Sequence, residues 1–387
     1  MKLPIDLKAV IEAATDIESA RNTPVSVSVL IDDSAPGDVA AHVRSAFVGA
    51  GAHARVTVGY FVGPAFSPYE GDDMAVIVAG FSEEVGRRAA EIRAAGVPVM
   101  VVTSMPRLVA DMASAYGNPI PEGDLVAPEG VEGCEADGDA ACESGEVAGA
   151  HVSVFAGIRA AKSADAGAAA GSSGAAASSP DVSDAPIPID AAAAAALDRR
   201  MGEWVVAACR EKRLALALSF PFVRKPLSLE AVSATSLQNA GIGLVLFIPG
   251  ADMPLMTLNQ AKMLLQIAAA YGEPMSVARV KELAAIVGGA FACRSVARQV
   301  AGAVPAIGWA VKAGVGYAGT KAMGLAAVEY FERGGSIAGL AGVVSTATAK
   351  ATQIAGDVAA TPAGARVLST VKTAVRQGAA SILKKTE

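Results

Sequence analysis

Three valine-rich runs, each bracketed by helical pattern, constrain this chain more than any other feature. They are VSVSVLID (Val25–Asp32), DMAVIVAG (Asp73–Gly80) and VPVMVVT (Val97–Thr103). Val-rich runs set between amphipathic helices predict strands covered on both sides. Between them lie VAAHVRSAFVGAG, a helix closing on glycine, ARVTVGYFV, a further strand, and SEEVGRRAAEIRAAG, a capped helix; PRLVADMASAYG closes the series as another helix. Strands alternating with amphipathic helices predict an α/β domain with a parallel sheet over 1–120.

The pattern then dissolves. Over 121–186 the chain turns to Glu, Asp, Gly, Ala and Ser and carries a net charge near −10, and such a stretch buries too little apolar surface to offset its ordering entropy. The expectation is a disordered acidic insert, with HVSVFAGI (His151–Ile158) as a short ordered island. Helical pattern resumes with Asp190 as an N-cap, and the helix over 187–222 is expected to return and complete the sheet domain. A helical domain rich in Ala and Gly is expected over 227–335. The tail, 336–387, places Val367, Val371, Val375 and Ile382 on one face with Arg366, Lys372, Arg376, Lys384 and Lys385 among the rest, which predicts a basic amphipathic helix suited to anionic lipid or to a partner. Beyond residue 200 the net charge turns positive, in a chain whose total is −6.

The obvious chemistries find no residues. A phosphate loop needs glycines, a lysine and a Ser/Thr for magnesium; the corresponding loop, DDSAPGDVAAH, has one glycine, no lysine, and Asp32, Asp33 and Asp38. Asp32 and Asp33 fit either a metal site in an open crevice or a cap on the following turn. Cys134, Cys142, Cys209 and Cys293 lack the spacing of a zinc site or disulfide framework, and His42, His53 and His151 share no motif. No catalytic, cofactor-binding or metal-binding residue is assigned. The N-terminal MKLPIDLKAVIEAATDIE has acids where a secretory leader needs its apolar core.

PAIGWAVKAGVGYAGTKAMG (Pro305–Gly324) bears on location. A spanning helix needs about 20 apolar residues, and Lys312 and Lys321 interrupt this stretch about 180° apart around a helix. Trp309 and Tyr330–Phe331 nevertheless lie about 31 Å apart along a helix, the spacing of two interfacial aromatic belts. The expectation is shallow or hairpin-like insertion.

Two resemblances add to this. The first domain resembles a GTPase in spacing. At the position of the base-reading Asn/Thr-Lys-x-Asp, however, stand Thr103, Ser104, Met105 and Pro106, which implies a degenerate, non-hydrolysing GTPase-like domain; a flavodoxin-like sheet is the alternative. The segment from about Ala231 to Gly335 resembles the YcjF-like family of unknown function, bacterial proteins found alone or fused to GTPase domains. The features that carry it are Pro249, Asp252, Gln260, Met263, Tyr271–Gly272, Pro305, Gly308, Thr320 to Gly324, and Tyr330–Phe331. The resemblance implies a membrane-associated helical module with no assigned chemistry. Together these readings predict a non-enzymatic scaffold or regulator at the cytoplasmic face of the inner membrane. Its expected partners are membrane lipid, and a GTPase or a second copy joined through Gly-rich helices, with no nucleic acid. The alternatives are a nucleotide-binding GTPase-like enzyme with an unorthodox phosphate site, and a soluble helical adaptor in the cytoplasm.

Overall fold

In a computed structural model the described residues are 7–51, 53–61, 71–128, 186–245, 252–274 and 308–336, with Leu340, Gly342 and Thr346. The described residues belong to one compact unit. The acidic insert expected over 121–186 begins too early: Glu122–Asp124 form a turn of 3-10 helix and Leu125–Val126 a strand of the sheet, because Leu125 and Val126 supply apolar side chains to its two faces. The remainder of the insert, 129–185, and the basic tail apart from Ser336, Leu340, Gly342 and Thr346 lie outside the described residues, as do Cys134, Cys142, Cys293 and His151.

Five strands make one parallel sheet: β1 (Val25–Ile31), β2 (Ala54–Tyr60), β3 (Met74–Val78), β4 (Val99–Val102) and the short β5 (Leu125–Val126), in the order β2-β1-β3-β4-β5. The chain thus contains an α/β domain of the expected kind. β3 and β4 are buried throughout, as their unbroken apolar sequences require. On one face Val25, Val27, Val29, Val76, Val78 and Val102 meet α2 (Gly37–Val48) and α5 (Ala191–Ala208) in one core. Leu30, Ile77, Val99 and Val101 on the other face meet α3 (Glu84–Ala94) and α4 (Pro106–Ala115). α5 begins where Asp190 accepts a hydrogen bond from the Ala193 N–H at 2.8 Å.

The sequence from Ile189 to Phe220, which reads as one helix, is broken at Cys209–Lys212 into α5 and α6 (Arg213–Ser219). The break lets α6 and the start of α7 (Pro221–Val245) set Phe220 and Phe222 against Phe47 of α2, tilted and edge-on, with ring centroids 5.0 and 5.2 Å away. Pro226 sits inside α7 and leaves the Phe222 carbonyl without its helical donor. Gly202 of α5 closes over that carbonyl, and a Cβ there would lie 2.5 Å from the oxygen. The proline thus frees a carbonyl at the place where the glycine lets a second helix approach.

A further core joins α7, α8 (Asp252–Ala270) and α9 (Gly308–Glu332). Val10, Ala14 and Ile17 of α1 (Leu7–Arg21) belong to this core, so the chain's first helix packs with helices more than two hundred residues away. Arg21 fixes it there, donating to the Glu273 carbonyl at 2.8 Å. Among the described residues after Pro186, every regular element is a helix.

The expected place at the cytoplasmic face of the inner membrane is corrected here. No described helix is long and apolar enough to cross a membrane. α9 has the length, but it is built largely from Gly and Ala, which offer little apolar area, and it carries Lys312 and Lys321.

Candidate functional site at the carboxyl ends of the strands

In open parallel sheets ligands bind beyond the carboxyl ends of the strands, where the strand order reverses. Here that point lies between β1 and β3. The chain's own backbone fills it. After Ile31 the loop turns over the end of β3, and the buried Asp32 carboxylate accepts from Ser34 Oγ at 2.8 Å, from the Ser34 N–H at 3.3 Å and from the Gly80 N–H at 2.9 Å. Ser34 and Ala35 lie so close above Gly80 that a Cβ at residue 80 would fall 2.2–2.4 Å from their backbone atoms. Of the two readings of the acidic pair, the structure places Asp32 as the cap of this turn. Asp33 is exposed, and no metal-capable group of side chains occurs among the described residues.

The N-terminus of α2, the natural anion site of such a fold, is occupied by an acid. Asp38 accepts from the Val39 N–H at 2.9 Å and from the Ile189 N–H at 3.1 Å. Its negative charge sits where a phosphate would need the positive end of the helix dipole. The Ile189 bond belongs to a strap, Pro186–Asp190, that crosses the ends of the strands; the Ile187 N–H also donates to the Ser104 carbonyl at 3.0 Å. Thr103 and Ser104, just beyond the end of β4, are fully buried. Thr103 Oγ1 accepts from the Met105 N–H at 3.1 Å, and Ser104 Oγ has no hydrogen-bond partner.

The remaining polar residues are structural ties. His42 pairs with Asp198 at 2.8 Å, linking α2 to α5, and His53 is exposed. At the amino ends of the strands Asp72 accepts from Ser26 and Ser28 and pairs with Arg55 at 3.1 Å, while Asp73 pairs with Lys212 at 2.7 Å. Buried Cys209 lies beside this group; its burial, and then the charge of Asp73, push the thiol up to about 12, so it stays protonated and unreactive near neutrality. A cavity of about 220 Å³ between α1, α6, α7 and α8 sets Asp16, Arg210, Arg213 and Glu230 around Ile17 and Leu227. It is smaller than the roughly 300–1,000 Å³ usual for ligand sites, and Arg213 is already held by both Glu230 oxygens at 2.8 and 2.9 Å.

In the helices the residues singled out by pattern come together as packing. Thr320 Oγ1 accepts from Gln260 Nε2 at 2.8 Å and from Asn239 Nδ2 at 3.0 Å, and all three residues are buried. Asn259 donates to Asn239 Oδ1 at 3.0 Å, extending an amide–hydroxyl network across α7, α8 and α9. Tyr271 stacks on Phe331 at 6.0 Å, and Gly324 approaches Val232 too closely for any side chain. Pro249 and Pro305 lie outside the described residues. Sequence reading missed Asn239 as the hub of this network; with Thr235, Ser236 and Gln238 beside it in AVSATSLQNA, nothing local marks it out. Comparisons with known protein families, with curated proteins and with solved structures find no match.

Proposed function

We propose that this protein is a non-enzymatic interaction module, a scaffold or regulator built on a degenerate ligand-binding sheet. The observation that carries the reading is the filled crevice: the Asp32–Ala35 turn seated on Gly80 where a ligand of such a sheet would lie. The acid at the start of α2 and the strap over Ser104 favour it further. The strand order is the flavodoxin-like one, which supports a flavodoxin-like origin over a GTPase-like one. The YcjF-like reading of the helices draws support from Gln260, Thr320, Tyr271, Gly324 and Phe331, which meet in one core. On this view a GTPase is a partner bound by the module, and the module itself has no nucleotide site.

The test is calorimetric titration of the full chain with GTP and with ATP, each with magnesium. No saturable heat is expected. A micromolar affinity for either nucleotide would overturn the proposal and favour the second reading, a nucleotide-binding enzyme, which the strand order alone supports.

A further inference from the structure

The two edges of the sheet are finished differently. β5 has two residues and lies against α4 and α5, whereas β2 has seven residues and, among the described residues, a single strand neighbour, β1. Two bonds fix which backbone groups of β2 face outward. The Val25 N–H donates to the His53 carbonyl and the Phe61 N–H donates to the Ile31 carbonyl. Because groups alternate along a strand, odd-numbered residues of β2 face β1, and Val56, Val58 and Tyr60 direct their N–H and C=O away from the sheet.

Proteins usually guard such an edge with proline, lysine, a bulge or a covering element. The strand ARVTVGY contains neither proline nor lysine. Its one charge, Arg55, is turned back onto the sheet, bonding Ser26 Oγ at 2.7 Å and Asp72 at 3.1 Å. Val58 and Tyr60 are 37% and 50% exposed, and Val48, at the end of the helix leading into this strand, is 66% exposed. Among the described residues, therefore, an edge without a guard coincides with exposed apolar side chains.

We propose that β2 is a self-association edge, on which two copies of the chain pair antiparallel about a two-fold axis and join their sheets into one. The sequence of the strand is complementary to itself in this arrangement. Centring the axis on Thr57 sets Val56 opposite Val58, Arg55 opposite Gly59 and Ala54 opposite Tyr60. Long residues then meet short ones, and no like charges face each other. The outward-facing Val56 and Val58 become the hydrogen-bonded pairs, and exposed Val58 gains a valine neighbour. A foreign strand could use the same main-chain groups, but only a second copy is matched by this pattern of sizes and charges. The inference is independent of the reading of the crevice.

Sedimentation equilibrium of the full chain across the micromolar range tests it. The wild type should dimerise. Val58→Pro removes an outward N–H and leaves the ladder to β1 intact, and Val58→Lys places a charge on the edge without altering the backbone. Each should weaken dimerisation by about tenfold or more while keeping the wild-type circular dichroism; should the proline variant fail to fold, the lysine variant decides. A wild type that stays monomeric overturns the proposal and leaves the edge to a heterologous strand. A dimer that persists in the variants also overturns it, placing association on another surface, such as the Gly-rich helices.

Discussion

Replacing Gly80 with alanine tests most directly whether the chain itself fills the crevice. The new methyl would lie 2.2 Å from the Ser34 carbonyl carbon, 2.3 Å from its oxygen and 2.4 Å from the Ala35 nitrogen. These are backbone atoms, so no rotamer change relieves the overlap, and the turn must lift by roughly an ångström to reach ordinary contact. Lifting it pulls against the Asp32 carboxylate, which holds Ser34 and Gly80 together through three hydrogen bonds. Losing one bond to a charged acceptor costs about 1.5–3 kcal/mol, and residual overpacking strain is typically about 1–3 kcal/mol. The expected destabilisation is therefore about 2.5–6 kcal/mol, read as a lower midpoint in guanidinium denaturation followed by far-ultraviolet circular dichroism. Gly37→Ala is the control, because a Cβ there meets nothing within 4 Å. In the first turn of α2 it should be neutral or stabilise by up to about 1 kcal/mol. If Gly80→Ala matches the wild type within about 0.5 kcal/mol, the turn does not close over β3 and the main support for the proposed function is lost.

Two further outcomes follow from buried groups. Thr320→Val should destabilise by about 1–3 kcal/mol, because it removes the buried hydroxyl that accepts from both Asn239 and Gln260 and leaves each amide one hydrogen bond short; Thr320→Ser, which keeps the oxygen, should recover most of that loss in the same denaturation assay. Cys209 predicts a pH dependence: its thiol is raised from 9.0 to about 12, so above pH 9.0 the unfolded chain releases a proton that the folded chain still holds. Stability should fall in that window by about 1.4 kcal/mol per pH unit, and Cys209→Ala should remove that part of the slope. Tyr271, also raised by burial, then by the charge of Glu332 and against the opposing effect of Arg224, adds to the loss at higher pH.

The sheet was legible in the sequence because its signal is local. Val76, Ile77 and Val78, or Val101 and Val102, cannot be placed anywhere but a strand covered on both faces, and the helices between them announce themselves by period and by caps such as Asp190. That the loop after β1 has one glycine and no lysine is a matter of residue types alone. What fills the crevice could not be read from them, since Gly80 and Ser34 are forty-six residues apart and their approach depends on the order of strands. The strap is a stronger case, because Ile187 and Ile189 reach Ser104 and Asp38 only after the whole segment 129–185 has intervened.

The helices show the opposite limit, where local signal misleads. α9 has no one-sided apolar stripe, and its small residues and wide-set aromatics do not by themselves announce a core helix. What identifies it as one is a cluster of polar side chains with no local periodicity, Asn239, Gln260 and Thr320, each brought by a different helix. With Gly324 seated on Val232, these bonds tie one face of α9 to α7 and α8. Packing of this kind also explains why α1 joins the helical core: the apolar stripe of Val10, Ala14 and Ile17 needs a partner, and the sheet faces are already taken by α2, α3, α4 and α5. The same accounting identifies β2 as unfinished. Each covered face of the sheet has its helices and the β5 edge has α4 and α5, while the outward N–H and C=O groups of Val56, Val58 and Tyr60 have no strand opposite them among the described residues. Backbone groups left in that condition at a protein's edge are the ones a second chain can use.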